Sequence, residues 1–254
     1  MIMEVYNRTH RYYTRLDAYL ALGIFVFCSV MFFVVGRVWH ASGTRLFVHA
    51  AIASIVIIGI ALAVRRESPR TISLGIKNWW KSGLVGLFTG LLVFYSIRLV
   101  QGASLFERAY GGVPVVNFLR GNRFHEVPYT PLMEWLPTAL LFIVISVVFQ
   151  EVLFRGYVQT RLYGLFKSDW VATIGTGILF VLFFMPLHSV IFGVSIFFMF
   201  QVAIPLQMIW MFMLHLWLNL LQRLFNSLVG PIIFHILFSF HVSATLTHSY
   251  FLGF

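Results

Sequence analysis

The sequence predicts an all-α polytopic membrane protein, a bundle of about eight transmembrane helices built as a single membrane domain over residues 1–254. Three observations carry that expectation. The chain is 60% hydrophobic and only 10% charged, with a mean hydropathy of +0.89, whereas soluble domains run at roughly 45–50% apolar and 25% charged. Apolar stretches of about 20 residues, long enough to cross a hydrocarbon core as helix, recur along the chain. Inside a bilayer, a lone segment satisfies its own backbone hydrogen bonds only as a helix.

The first span, about 17–36, follows Arg8, Arg11 and Arg15. A basic start before an apolar run resembles a signal peptide. The run continues to about Val35, past the roughly 7–15 residues of a cleaved signal's core, with no small-x-small site close behind, so a retained span is expected. It holds Cys28, the chain's one cysteine, which rules out an intrachain disulfide.

Further spans are expected at about 46–64 and 82–100. Trp79 and Trp80, between Lys77 and Lys81, sit where an aromatic belt marks the lipid interface. The stretch 101–135 reads as a polar loop, with Gly111-Gly112 and mixed charge in Glu107, Arg108, Arg120, Arg123 and Glu126. Spans at about 136–158, 170–190 and 207–225 and a closing stretch at 230–252 complete the set. The apolar piece Val190 to Ile204 is either re-entrant or a further crossing, and the Met and Phe richness of 191–213 reads as lipid-facing or packing surface.

The net charge of +10, from 18 Lys+Arg against 8 Asp+Glu, forms no compact basic module, so nucleic acid is not an expected partner. The basic residues instead cluster at 8–15, 65–81 and 155–167, each pair of clusters separated by two spans. The positive-inside rule places all three on the cytoplasmic side, and eight spans would bring both termini there.

Beyond Trp135 the acidic residues are Glu151 and Asp169, and Asp169 falls in a turn beside Lys167. A carboxylate in hydrocarbon is costly, which makes Glu151 a functional-site candidate by default. Arg155 lies four residues on, on the same helical face. The histidines available are His188, His215, His235, His241 and His248. A glutamate with two histidines from neighbouring helices has the groups to activate water, or to hold a metal through one carboxylate and two imidazoles.

The string Gln150-Glu151-Val152-Leu153-Phe154-Arg155-Gly156 resembles the EExxxR motif, continued as FRG, of the CPBP family of intramembrane proteases, which includes the CAAX prenyl endopeptidases and the bacterial Abi proteins. Phe184-Met185-Pro186-Leu187-His188 is similar to that family's FxxxH motif. Ser227-Leu228-Val229-Gly230-Pro231 leading to His235 resembles the stretch before its HxxxN motif. The three strings stand in the family's order within residues 136–254, and the first 135 residues match only as generic spans.

The resemblance implies roles. His188 is the expected water-activating partner, His235 an oxyanion donor, and Glu151 with Arg155 the structural or orienting ion pair; Glu151, His188 and His235 form the expected catalytic set. No cofactor is expected, and if a divalent metal such as zinc is present, the same three side chains are its expected ligands. Two positions depart from the motifs: Gln150 replaces the first glutamate and Ser239 the asparagine. Gln150 cannot take a proton from water, and general-base help is commonly worth about 10²–10⁴ in rate. Ser239 keeps one hydroxyl donor, and losing an oxyanion donor typically costs about 10²–10³. His215, His241 and His248 match nothing in the motifs and read as packing or interface residues.

Depth adds a constraint. His188 lies about 18 residues, roughly 27 Å, along its helix, while His235 lies near the start of its own. They share a depth only if the chain between them crosses an even number of times, which favours counting 190–205 as a span.

The implied function is an intramembrane CAAX-protease-like peptidase that hydrolyses a membrane-associated peptide or protein, lipidated or not, by Glu/His-activated water. Membrane lipid is the other expected partner, and the bacterial cytoplasmic membrane the expected location. The alternative is a catalytically impaired relative acting as a membrane scaffold or bacteriocin-immunity type binding protein. A transporter fits less well, because the chain has no repeat symmetry.

Overall fold

The computed structural model describes residues 13–38, 43–74, 78–110, 132–192 and 204–239, which are helical with short turns and contain no strand. Helix α1 spans Arg15–Val38 and α2 Gly43–Val64; after a 3-10 turn at Pro69–Ile72, α3 spans Trp79–Tyr110. Helix α4, Leu132–Gln150, passes into a π-helical segment, Glu151–Val158, and then into α5, Gln159–Phe166. Helices α6, Asp169–Phe192, and α7, Ile204–Phe225, follow, and α8 spans Val229–Ser239.

Helix α1 starts at a capping box. Asp17 accepts the Thr14 backbone N–H at 2.8 Å and its hydroxyl at 2.7 Å, and the Asp17 N–H reaches back to the Thr14 hydroxyl at 3.4 Å. Ala18, Ala21, Phe25, Cys28 and Phe32, three or four apart, are buried, while Tyr19, Leu20, Val26, Phe27 and Val30 between them are exposed. A helix apolar on both its packed and its open face suits lipid rather than water. Arg15–Phe32 and Met208–Phe225 are each long and apolar enough to cross a bilayer, and shorter apolar helices accompany them.

The core is aromatic. Phe32 stacks on Phe149 at 4.8 Å, and Phe154 meets Phe25, Phe180 and Phe183 edge-on at 5.7, 5.1 and 5.5 Å. It joins α1 and α6 to the helix that carries Glu151.

Polar contacts gather helix ends at one face. Asp17 pairs with Arg65, and Glu67 with Arg161. The Lys167 ammonium donates to the Tyr13 carbonyl at 3.1 Å, Arg223 lies 3.7 Å from Asp169, and the Leu228 N–H donates to the Ser73 carbonyl at 3.1 Å. Burial pushes the Tyr13 phenol up, which keeps it a donor to Glu67 at 3.3 Å. The start of α1, the end of α2, the α5–α6 turn, the end of α7 and the start of α8 therefore share a single basic face.

Two expectations change. Helix α3 runs on to Tyr110, about 48 Å at 1.5 Å per residue, so the loop expected from 101 does not begin before 111; residues 111–131 lie outside the described residues. The Arg223–Asp169 contact puts the end of α7 beside the start of α6, so α6 and α7 together make one excursion out and back. The depth reading that counted 190–205 as a crossing of its own is corrected on that ground; residues 193–203 lie outside the described residues, as do His241, His248 and the end of the closing stretch.

Helix α8 is held by α3 along a seam of small residues. Ser82, Gly86 and Gly90 recur every fourth position. The Gly230 N–H donates to the Ser82 hydroxyl at 2.9 Å, and a Cβ placed on Gly86 would collide with the Gly230 carbonyl. Such close backbone approach is the usual mode of helix association in lipid, and here it fixes the helix that carries His235.

Candidate functional site

Glu151 opens the π-helical segment, in which the Gln159 N–H bonds to the Phe154 carbonyl five residues back. π-Helical turns are rare and are found frequently at functional sites. All eight residues Glu151 to Val158 are buried. Gly156 permits this burial: a Cβ there would lie 3.2 Å from both the Ile72 side chain and the Ile72 carbonyl.

One carboxylate oxygen gathers two partners. The Arg155 guanidinium donates to Glu151 Oε1 at 2.5 Å, and His235 Nδ1 lies 2.6 Å from the same oxygen. A carboxylate only accepts, so the proton of that contact sits on His235 Nδ1, and in the neutral ring the lone pair is then on Nε2. Glu151 Oε2 has no partner among the described residues. Glu151 and Arg155 are fully buried and His235 is 4% exposed, so the three groups interact with little screening by water.

Phe180 forms a floor under the group. The Arg155 guanidinium carbon lies 5.4 Å from its ring centre, and the His235 ring lies 6.2 Å from it. Phe180 stands about 16 Å along α6 from Asp169, and His235 about 9 Å along α8 from Val229. The cluster is therefore set about 10–16 Å in from the basic face.

The other expected site residues fall as follows. Gln150, the residue before the π segment, is buried, and its Oε1 has no partner among the described residues. Ser239 is the last residue of α8, half-buried, four positions beyond His235. His188 is carried by α6 two turns beyond Phe180, about 12 Å along the axis; its side chain lies outside the described residues.

Sequence reasoning assigned His215 to packing, but the structure puts it against this cluster. Its ring lies 5.6 Å from Phe180, and its carbonyl lies 3.5 Å from Arg155 Nη2. Asn219 and Gln222 follow on the same face of α7, and all three are buried. Gln222 donates to the Ser73 hydroxyl at 3.0 Å and approaches the Arg155 carbonyl at 3.5 Å. Polar residues at i, i+4 and i+7 in an apolar run are the signal that reveals this face, since polar groups inside a membrane turn toward the protein interior.

The expected metal ligands are Glu151, His188 and His235, and the His188 side chain lies outside the described residues. Among the described residues no group of three His, Cys, Asp or Glu side chains is placed to hold an ion. Arg155 and His235 both take Glu151 Oε1, and Oε2 is without a partner among the described residues.

Residues 132–241 match the family model of the Rce1-like type II CAAX prenyl endopeptidases. Comparison with curated proteins and with solved structures returned no match. The matched region takes in Glu151, Arg155, Phe180 and His235, the residues that meet in the buried cluster, so this part of an integral membrane chain is similar to the Rce1-like type II CAAX prenyl endopeptidases.

Proposed function

We propose that the chain hydrolyses a peptide bond of a membrane-associated, lipid-modified peptide or protein, with His235 as the group that takes the proton from water. The observation that carries this reading is the 2.6 Å contact between His235 Nδ1 and Glu151 Oε1. A carboxylate behind one ring nitrogen fixes the tautomer and steadies the imidazolium formed when the other nitrogen accepts a proton, the logic of the acid–histidine pair in serine hydrolases. This division of labour needs no base at position 150, where glutamine cannot serve. Arg155 is the charge partner of the carboxylate, His188 is a further group for the reacting water, and Ser239 is a hydroxyl donor for the oxyanion. The basic face is cytoplasmic in this reading, because Arg65, Arg66, Lys81, Arg161, Lys167 and Arg223 lie at or near it, and the first helix starts there.

The second reading is a relative that binds its peptide without cutting it. Gln150 favours it, as does Glu151 Oε1, which is engaged by two partners.

The test is cleavage of farnesylated peptides in lipid nanodiscs by the natural protein and by His235→Ala, His188→Ala and Gln150→Glu variants. The hydrolase reading expects cleavage by the natural protein and a loss of about 10²–10⁴ in His235→Ala. Cleavage by Gln150→Glu alone would establish the binding reading instead.

A further inference from the structure

Helix α7 carries polar capacity that the reaction above does not use. His215 is wholly buried, with one ring nitrogen toward the Thr173 backbone carbonyl and the other without a partner among the described residues; Asn219, 3% exposed, has its Nδ2 donor likewise unmet. Leaving such groups unmet is costly, so a buried set of them calls for a reason. Both stand on the face of α7 that meets Arg155 and Phe180, and the His215 carbonyl lies 3.5 Å from Arg155 Nη2. The opposite flank of α7, with Ile209, Trp210, Met213, Leu220 and Leu224, is exposed. Access to the inner face from lipid therefore runs through a displacement of α7 that parts the Gln222–Ser73 and Arg223–Asp169 contacts.

The unmet groups match one ligand chemistry. With its N–H toward Thr173, a neutral imidazole presents one lone pair, and the Asn219 amide adds an N–H. A backbone peptide unit presents one N–H and one carbonyl that accepts two hydrogen bonds. Resting on the peptidase reading, we propose that His215 and Asn219 receive a backbone amide of the substrate: the imidazole lone pair accepts its N–H, and the Asn219 amide donates to its carbonyl. They are binding residues beside the Glu151–His235 pair, and they select an extended peptide over a lipid of the same length.

An ester scan tests this. A fluorescein-labelled farnesylated peptide is made with each backbone N–H in turn replaced by oxygen, which removes one donor and weakens one acceptor. Binding to the full chain in nanodiscs is read by anisotropy before cleavage proceeds. The natural protein is expected to bind one ester analogue roughly fivefold or more weakly than the amide. His215→Leu is expected to bind amide and ester within twofold of each other, with both near the weaker value. Asn219→Leu, measured alongside, keeps the comparison available if His215→Leu folds poorly, and its loss is expected at the same backbone unit. Equal binding of all analogues by the natural protein, or an ester effect that survives in both variants, overturns the proposal. Cleavage that proceeds normally while no ester position matters leaves the hydrolase reading standing and sinks only this one.

Discussion

Replacing Arg155 by methionine is expected to destabilise the fold by about 3–5 kcal/mol, the usual cost of stripping the partner from a buried charge. The magnitude follows from the site. Glu151 and Arg155 are both fully buried, with 2.5 Å between Arg155 Nη1 and Glu151 Oε1. Methionine keeps much of the side-chain volume, so a cavity contributes little. What is lost is the charge partner of Glu151, the contact with the Phe180 face at 5.4 Å and the approach to the His215 carbonyl. His235 alone is left to hold the carboxylate. The double variant Glu151→Gln/Arg155→Met removes both charges and is expected to recover most of the loss, to within about 1–2 kcal/mol of the natural protein, because a buried ion pair replaced as a unit is often nearly neutral. Equilibrium unfolding of these three proteins and of the Glu151→Gln single variant in mixed micelles gives the coupling energy directly. Single and double variants equally destabilised, or a single variant within about 1 kcal/mol of the natural protein, would refute the claim that this pair is charged and mutually dependent.

Three further outcomes are expected. Gly86→Ala places a methyl group on the Gly230 backbone, so overpacking of about 1–3 kcal/mol is expected by unfolding, together with reduced cleavage because α8 carries His235; an unchanged midpoint would show that the two helices are not in close register. Phe154→Ala removes a side chain that meets three other rings and is expected to cost about 3–5 kcal/mol, against a smaller loss for Phe154→Leu, the difference being read in the same assay. Thr14→Ala breaks the capping box of α1 and is expected to cost about 1 kcal/mol; hydrogen exchange of the first turn of α1 is the sensitive readout, and unaltered protection would deny the cap its role.

Much of the helical layout was legible in the chain, because in lipid the backbone rule and the length rule act on each segment separately. The expected 17–36, 46–64 and 207–225 lie inside Arg15–Val38, Gly43–Val64 and Ile204–Phe225. Boundaries next to polar sequence were less legible: α3 continues as helix into a stretch whose charges and glycine read as loop, since helix hydrogen bonds do not require an apolar side chain. The topology between α6 and α7 was decided by the Arg223–Asp169 contact, 54 residues apart in sequence, which no local pattern encodes.

The sequence by itself determined that a lone acid lies in an apolar run with an arginine one turn on and histidines downstream, and that these sit in motif strings with Gln150 and Ser239 at two of the positions. Composition and spacing are properties of single segments, so they survive without knowledge of packing. Only the tertiary structure decided that the run changes to π-helix at Glu151, that Arg155 and His235 converge on the same oxygen, and that His215 belongs with them. Those facts depend on which helix faces meet, and the meeting is set by the Ser82–Gly86–Gly90 seam and the Phe180 floor, whose partners are far away in sequence.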